Sequence, residues 1–124
     1  MKARLIPVVA VLAVAGCSKI HEERSFTVEA GNSHSLDISA PVSQQTVTVT
    51  LTSDEPVNVY VLLVKSVEGK TDYDPETLKE GVLGKEKSTK SATLTVTVPA
   101  KEKYRIYVDG ASKKANVSVK VDSQ

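Results

Sequence analysis

From Ser25 onward, apolar and polar residues alternate with a period of two. Phe26, Val28 and Ala30 form one such set, and Leu36, Ile38 and Ala40 the next. Val47, Val49 and Leu51 alternate with Thr46, Thr48, Thr50 and Thr52, and Leu94, Val96 and Val98 with Thr93, Thr95 and Thr97. Tyr104, Ile106 and Val108 follow, and Val117, Val119 and Val121 close the series. Successive side chains on a strand point to opposite faces, so this alternation, rich in β-branched residues, predicts strands with one face in a core and one in water. Ala30-Gly31-Asn32-Ser33 and Asp109-Gly110-Ala111-Ser112 supply turn chemistry between neighbours. The expectation is an all-β fold: a small antiparallel β-sandwich, jelly-roll-like, with about seven strands over residues 25–124.

Residues 57–64 depart from the pattern. They read V-N-V-Y-V-L-L-V, apolar at both parities, as in a strand covered on both faces. The cover expected on the second face is the irregular stretch that follows, residues 65–90. Within it, Asp74 as cap, Pro75 at the first helical position and Gly81 as terminator predict one helical turn. Long loops on rigid β frameworks often carry binding function, so Asp72, Tyr73, Asp74 and Glu76 are the candidate interaction residues. Three carboxylates at alternate positions also raise calcium. An EF-hand, however, needs glycine at its sixth position and glutamate at its twelfth, where this segment has Thr77 and Leu83.

The first 17 residues have a different organisation. Lys2 and Arg4 precede an apolar stretch from Leu5 to Val14, and small residues follow at Ala15 and Gly16, the three-part layout of a secretory signal. The stretch is shorter than the roughly 20 apolar residues that cross a bilayer. Two cleavage readings fit. Ala13-Val14-Ala15 suits an ordinary signal-peptidase site that leaves Gly16 first and Cys17 as a free thiol. Alternatively, Val14-Ala15-Gly16-Cys17 resembles the lipobox of bacterial lipoproteins, and the placing of the chain's single cysteine there favours this reading. The resemblance implies removal of residues 1–16, alkylation of the Cys17 sulfur by a diacylglyceryl group, and attachment to membrane lipid. Thiolate chemistry suits the step, because a soft sulfur is a strong nucleophile. With the two or three acyl chains such proteins carry, attachment is stable where one chain alone is marginal. Ser18, rather than aspartate, follows the cysteine. By the family's sorting rule this implies the outer membrane facing the periplasm in a Gram-negative cell, and otherwise the outer face of the cell membrane.

Residues 17–24 then form the lipidated tether. Ser18 to Arg24 reaches at most about 25 Å, at roughly 3.3–3.6 Å per residue, so the domain stays near the head groups. His21 lies within the tether with no second metal ligand at binding spacing, and reads as a solvated linker residue.

Charge narrows the function. Sixteen basic residues against fifteen acidic leave no basic excess of the kind a nucleic-acid binder needs. Catalytic constellations are equally thin. There are two histidines, and only His34, near Asp37, lies inside the domain. No glycine-rich phosphate loop, metal-ligand spacing or second thiol accompanies them. Asn116-Val117-Ser118 spells a glycosylation sequon but falls in an expected strand. A sugar platform would draw on Tyr60, Tyr73 and Tyr107, since Tyr104 shares the parity of Ile106 and Val108. The threonine rows read as solvent-facing strand surface.

The opening S-F-T-V-E-A-G-N and the closing K-Y-R-I-Y-V-D-G-A-S-K-K-A-N-V-S-V-K-V resemble the bacterial pre-peptidase C-terminal type of β-sandwich, over roughly residues 25–121. That resemblance implies an accessory module and transfers no catalytic residue. The expectation is therefore a membrane-anchored envelope lipoprotein, not an enzyme and without a cofactor. It acts as a protein-interaction or structural module whose partner is another envelope protein, bound through the 65–90 loop or an open sheet edge. The alternative is a glycan- or cell-wall-binding module.

Overall fold

The alternating segments form six antiparallel strands in the computed structural model, which describes residues 19–124. These are β1 (His21–Val28), β2 (His34–Ile38), β3 (Gln45–Leu63), β4 (Val82–Val98), β5 (Tyr104–Asp109) and β6 (Ala115–Ser123). They make one closed, barrel-like sheet ordered β1-β6-β3-β5-β2, with β4 on the other edge of β3. β3 pairs with β6 over Val47–Ser53 and with β5 over Asn58–Leu63, while β4 follows it along its length. Register shifts in the β3–β4 ladder fall between Thr52 and Val59, and again between Val61 and Leu62. Bulges of this kind bend a strand and raise its local twist. At the Thr52–Val57 bend β3 passes from β6 to β5, so its two halves enclose one interior.

That interior takes one parity of each strand. Val47, Val49, Leu51, Val57, Val59 and Val61 of β3 meet Val96 and Val98 of β4, Tyr104, Ile106 and Val108 of β5, and Val117, Val119 and Val121 of β6, all buried. The opposite parity carries the threonines, which pair across the strands: Thr46 with Thr97, Thr48 with Thr95, and Thr50 with Thr93. Gly84 lies on β4 where an added Cβ would stand 2.9 Å from Val96 Cγ1, so the strand's two halves approach closely there.

Several boundaries differ from the sequence expectation. Residues 47–51 and 57–64, read as separate strands, run together through Asp54-Glu55-Pro56 into β3, which is why six strands appear rather than about seven. Part of the expected 65–90 loop is strand: Val82 onward pairs with the second half of β3, although residues 85–88 are exposed and show no apolar alternation. The first strand begins at His21, inside the expected tether, with its rungs running from His21–Asp122 to Val28–Ala115. His21 is thus no linker residue. Its ring bonds Asp122 and lies 3.4 Å from Glu23, and these carboxylates, Asp122 first, raise its pKa above the ordinary 6.5. Glu22 and Arg24 occupy the inward parity of β1 and pair with each other at 2.8 Å. Inward charges also blunt an exposed sheet edge.

One core group stands out energetically. The Tyr104 hydroxyl is buried without a hydrogen-bond partner among the described residues, and burial pushes its pKa up to about 12. Removing an unsatisfied buried hydroxyl relieves a desolvation cost of about 1–3 kcal/mol. Tyr104→Phe is therefore expected to raise, or at least hold, the midpoint of chemical denaturation. Leu51→Ala, by contrast, creates a cavity in the same interior and is expected to cost about 2–5 kcal/mol with an unchanged denaturant slope.

Candidate functional site

The second apolar face of β3 packs as the sequence predicts, under the segment that follows it. Tyr60, Leu62 and Val67 are buried there, with Tyr73, Leu78, Val82 and Tyr107 packed around them. This small outer core lies on the opposite face of β3 from the interior and fixes residues 64–81 against the sheet. Tyr60, a candidate for an exposed platform, is 2% exposed. Its hydroxyl donates to Glu76 Oε2 at 2.8 Å. Lys85 Nζ donates to Glu76 Oε1 at 3.1 Å, and Lys87 Nζ lies 3.5 Å from Oε2. The Tyr60 hydroxyl first, then these ammonium groups, hold the Glu76 carboxyl below its ordinary 4.5. Asp74 caps the turn through its side chain, accepting from the Glu76 amide at 3.0 Å. The turn is a 3-10 turn over Pro75–Thr77 that stops at Leu78, earlier than the expected Gly81.

A second fastening holds the middle of the segment. Arg105 on β5 donates to both carboxylate oxygens of Asp37 on β2, at 2.6 and 3.1 Å, and to the Tyr73 hydroxyl at 2.8 Å. Tyr73 also packs on Tyr107, with ring centroids 5.4 Å apart. Asp37, the sequence partner considered for His34, is therefore held by Arg105, while His34 stacks on Phe26 at 4.0 Å.

Where this segment meets two strand turns, an open cleft of about 490 Å³ forms. Asp72, Tyr107 and Asp109 border it, with Asn32 and Ser33 from the β1–β2 turn. The two turns are joined by backbone: Gly31 N–H donates to the Ala111 carbonyl at 3.1 Å. Gly110 has φ +79°, and an added Cβ would stand 2.3 Å from Asn58 Nδ2, so only glycine lets Asn58 reach its neighbours there. Asn58 Nδ2 donates to Asp109 Oδ1 at 3.2 Å, and its Oδ1 accepts from the Ser88 amide at 2.9 Å. Burial raises the Asp109 pKa above its ordinary 3.8, opposed by the Asn58 bond. Burial likewise raises that of Tyr107, opposed by the Ser33 hydroxyl.

The cleft thus offers two carboxylates, an amide, a hydroxyl and a phenol: hydrogen-bond acceptors beside an aromatic ring, suited to receiving a cationic or donor-rich group. Of the candidate interaction residues, the structure brings Asp72 to the cleft, while Tyr73 packs on the bordering Tyr107. Asp74 and Glu76 instead hold the segment in place. Tyr60, Tyr73 and Tyr107 do cluster, but with Tyr60 covered and ring planes inclined at 61° and 39° they offer no flat face for a sugar. Val14, Ala15, Gly16 and Cys17, with the whole signal segment 1–16, lie outside the described residues. Asp109, Asn32 and Ser33 went unpredicted as site residues, and Tyr107 was expected only in a sugar platform with Tyr60 and Tyr73. Gly31-Asn32 and Asp109-Gly110 were legible as turns, but nothing in either one signals that they meet.

No protein-family model matches the chain, and no curated protein matches it by sequence. In fold it is similar to the Yersinia pseudotuberculosis-derived mitogen, with a TM-score of 0.58 and 8% identity, over 85% of this chain and 86% of that one. It is also similar to the periplasmic lysozyme inhibitor of g-type lysozyme from Aeromonas hydrophila, at 0.54 and 19% identity, over 88% of this chain and 89% of that one. No helix among the described residues is long and apolar enough to cross a membrane. The likeness is one of fold alone: the chain is a small all-β protein.

The Glu76 fastening carries a pH signature. A carboxyl whose folded pKa is lowered contributes stability above its unfolded value and loses it as pH falls through the folded one. Hydrogen exchange read by mass spectrometry should show protection of residues 64–81 that is level from neutrality down to about pH 5 and declines below the ordinary 4.5. Glu76→Gln should lower that protection at neutral pH while leaving the β3 and β6 amides unchanged.

Proposed function

We propose that this protein is a non-catalytic binding module of the cell envelope, which holds a protein partner through the cleft bordered by Asp72, Tyr107 and Asp109. One observation carries the reading: residues 64–81 are fixed as a wall by a packed outer core and two polar fastenings, so the cleft is preformed rather than assembled on binding. A preformed site loses less ordering entropy on association. Its chemistry favours a partner that presents an arginine or lysine side chain, with Tyr107 as the apolar contact and the carboxylates as acceptors. The fold shared with an inhibitor of g-type lysozyme makes such a lysozyme the first partner to test.

The anchor belongs to this proposal. Cys17 carries a diacylglyceryl thioether after cleavage behind Val14-Ala15-Gly16, and the module faces the periplasm from the outer membrane in a Gram-negative cell. The cleft is formed by the β1–β2 and β5–β6 turns. By strand register these lie at the opposite end of the sheet from His21, where the chain enters the fold, so an anchored module directs the cleft away from the bilayer.

Isothermal titration of the full chain with a g-type lysozyme should give saturable binding. Asp72→Lys, an exposed change, should weaken it by about tenfold or more. Crosslinking in native membranes extends the test to other envelope proteins, with the same variant as control. Turnover of an ester or glycoside panel by the purified chain, with no partner sensitive to Asp72, would overturn the reading. Intact mass tests the anchor separately: an acylated Cys17 is expected, and an unmodified thiol removes the anchor without touching the cleft.

A further inference from the structure

A second cleft, of about 440 Å³, lies at the root of the 64–81 segment and has the opposite charge. Lys65, Lys70 and Lys79 border it, with Ser66 between them and Glu80 as the one carboxylate. Lys70 and Lys79 are exposed and have no ion-pair partner among the described residues. Lys65 pairs with Glu102 at 3.2 Å with its side chain 59% exposed, a surface contact of little strength that a stronger anion can displace.

The walls are built rather than incidental. Leu63 N–H donates to the Gly81 carbonyl at 2.8 Å, and Val64 N–H to that of Lys103 at 3.0 Å. Gly81 has φ +91°, and an added Cβ would stand 1.7 Å from Ser66 Oγ, so the Ser66 side chain rests directly against that backbone. Three lysines and a serine thus border one opening.

Its position follows from strand register. Leu63 pairs with Tyr104, and Gln45 pairs with Val98 only a short turn earlier in the chain, so both ends of β3 lie at one end of the sheet. His21 pairs with Asp122, which pairs with Thr48 at that same end. The Lys65 root of the lysine cleft therefore shares an end of the fold with the point where the chain enters it, while Lys70, two residues before Asp72, lies on the side toward the acidic cleft.

We propose that this cleft binds a phosphate group, and that in the cell the group is the headgroup of an anionic phospholipid beneath the module. The choice of headgroup over free phosphate rests on the anchored reading above; the phosphate chemistry rests on the cleft alone. Lysine attraction to an anionic lipid surface is short-ranged, which makes a place at the tethered end decisive.

The test is lysine-reactivity footprinting of the full chain, with acetylation rates read residue by residue by mass spectrometry. Three samples are compared: phosphatidylcholine vesicles, the same vesicles with added inorganic phosphate, and vesicles with about one-third phosphatidylglycerol. Labelling of Lys70 and Lys79 should slow by about fivefold on the anionic vesicles. Lys113 and Lys114, in the β5–β6 turn at the far end, should be unchanged. In the Lys70→Gln/Lys79→Gln variant, which alters exposed groups only and should melt like the parent, Lys65 should react alike on both vesicle types. Slowing by inorganic phosphate but not by phosphatidylglycerol keeps the phosphate site and overturns the headgroup. Equal rates in all three samples overturn the proposal entirely. A chain that carries no acyl group and stays off the vesicles fails the anchored reading instead, and the phosphate sample still decides the cleft.

Discussion

The structure depends on a single strand having to be buried twice. β3 contributes Val57, Val59 and Val61 to the interior and Tyr60 and Leu62 to the opposite face, so no arrangement of the remaining strands alone removes all of it from water. Burying a large apolar side chain is worth about 1.5–3 kcal/mol, and leaving Tyr60 and Leu62 uncovered would forfeit much of that at each position. The segment after β3 is therefore drawn back over the strand it has just left. The clefts, the polar fastenings and the position of Asp72 follow from that return.

Polar chemistry then decides how the returning segment sits. Apolar packing of Val67 and Leu78 is tolerant of sliding, whereas the Tyr60–Glu76 bond and the Arg105 bridge between Asp37 and Tyr73 are directional. Together they select one register for the cover. Glycine works to the same end at Gly110 and Gly81, where a side chain would collide with Asn58 or Ser66. The sheet thereby carries an acidic cleft at its β1–β2 and β5–β6 turns and a lysine cleft at the root of the returning segment, although the whole chain is almost neutral.

Strands whose two faces differ in environment were legible in the sequence, because burial on one face leaves a period of two: Val47 to Leu51, Leu94 to Val98, Tyr104 to Val108 and Val117 to Val121 all lie where the alternation puts them. The double burial of Val57–Leu62 was legible for the complementary reason, the loss of that period. Residues 85–88 escaped notice because they are exposed at both parities and are held by ladder hydrogen bonds to β3, which leave no mark on side-chain polarity. The continuity of β3 through Asp54-Glu55-Pro56 was hidden likewise, by bulges that accept polar residues. For the acidic cleft, Asp72 could be picked out as part of an irregular loop. Asp109, and the placing of Tyr107 beside it and Asn32, could not, since that proximity is a product of the β2–β5 and β1–β6 pairings together.

The start of β1 has a consequence for reach. His21 to Ser25 contribute no fully buried side chain, and the inward Glu22 and Arg24 satisfy each other. This stretch can peel from β6 at the cost of ladder hydrogen bonds, the His21–Asp122 clasp, the Ser25–Ser118 hydroxyl bond and the contacts of Ile20 with Ser123 and the core, leaving Phe26 and Val28 seated. On the anchoring proposed for Cys17, five residues released in this way lengthen the leash by about 16 Å at roughly 3.3 Å each. The same residues thus serve as sheet when the module is at rest and as slack when it is pulled.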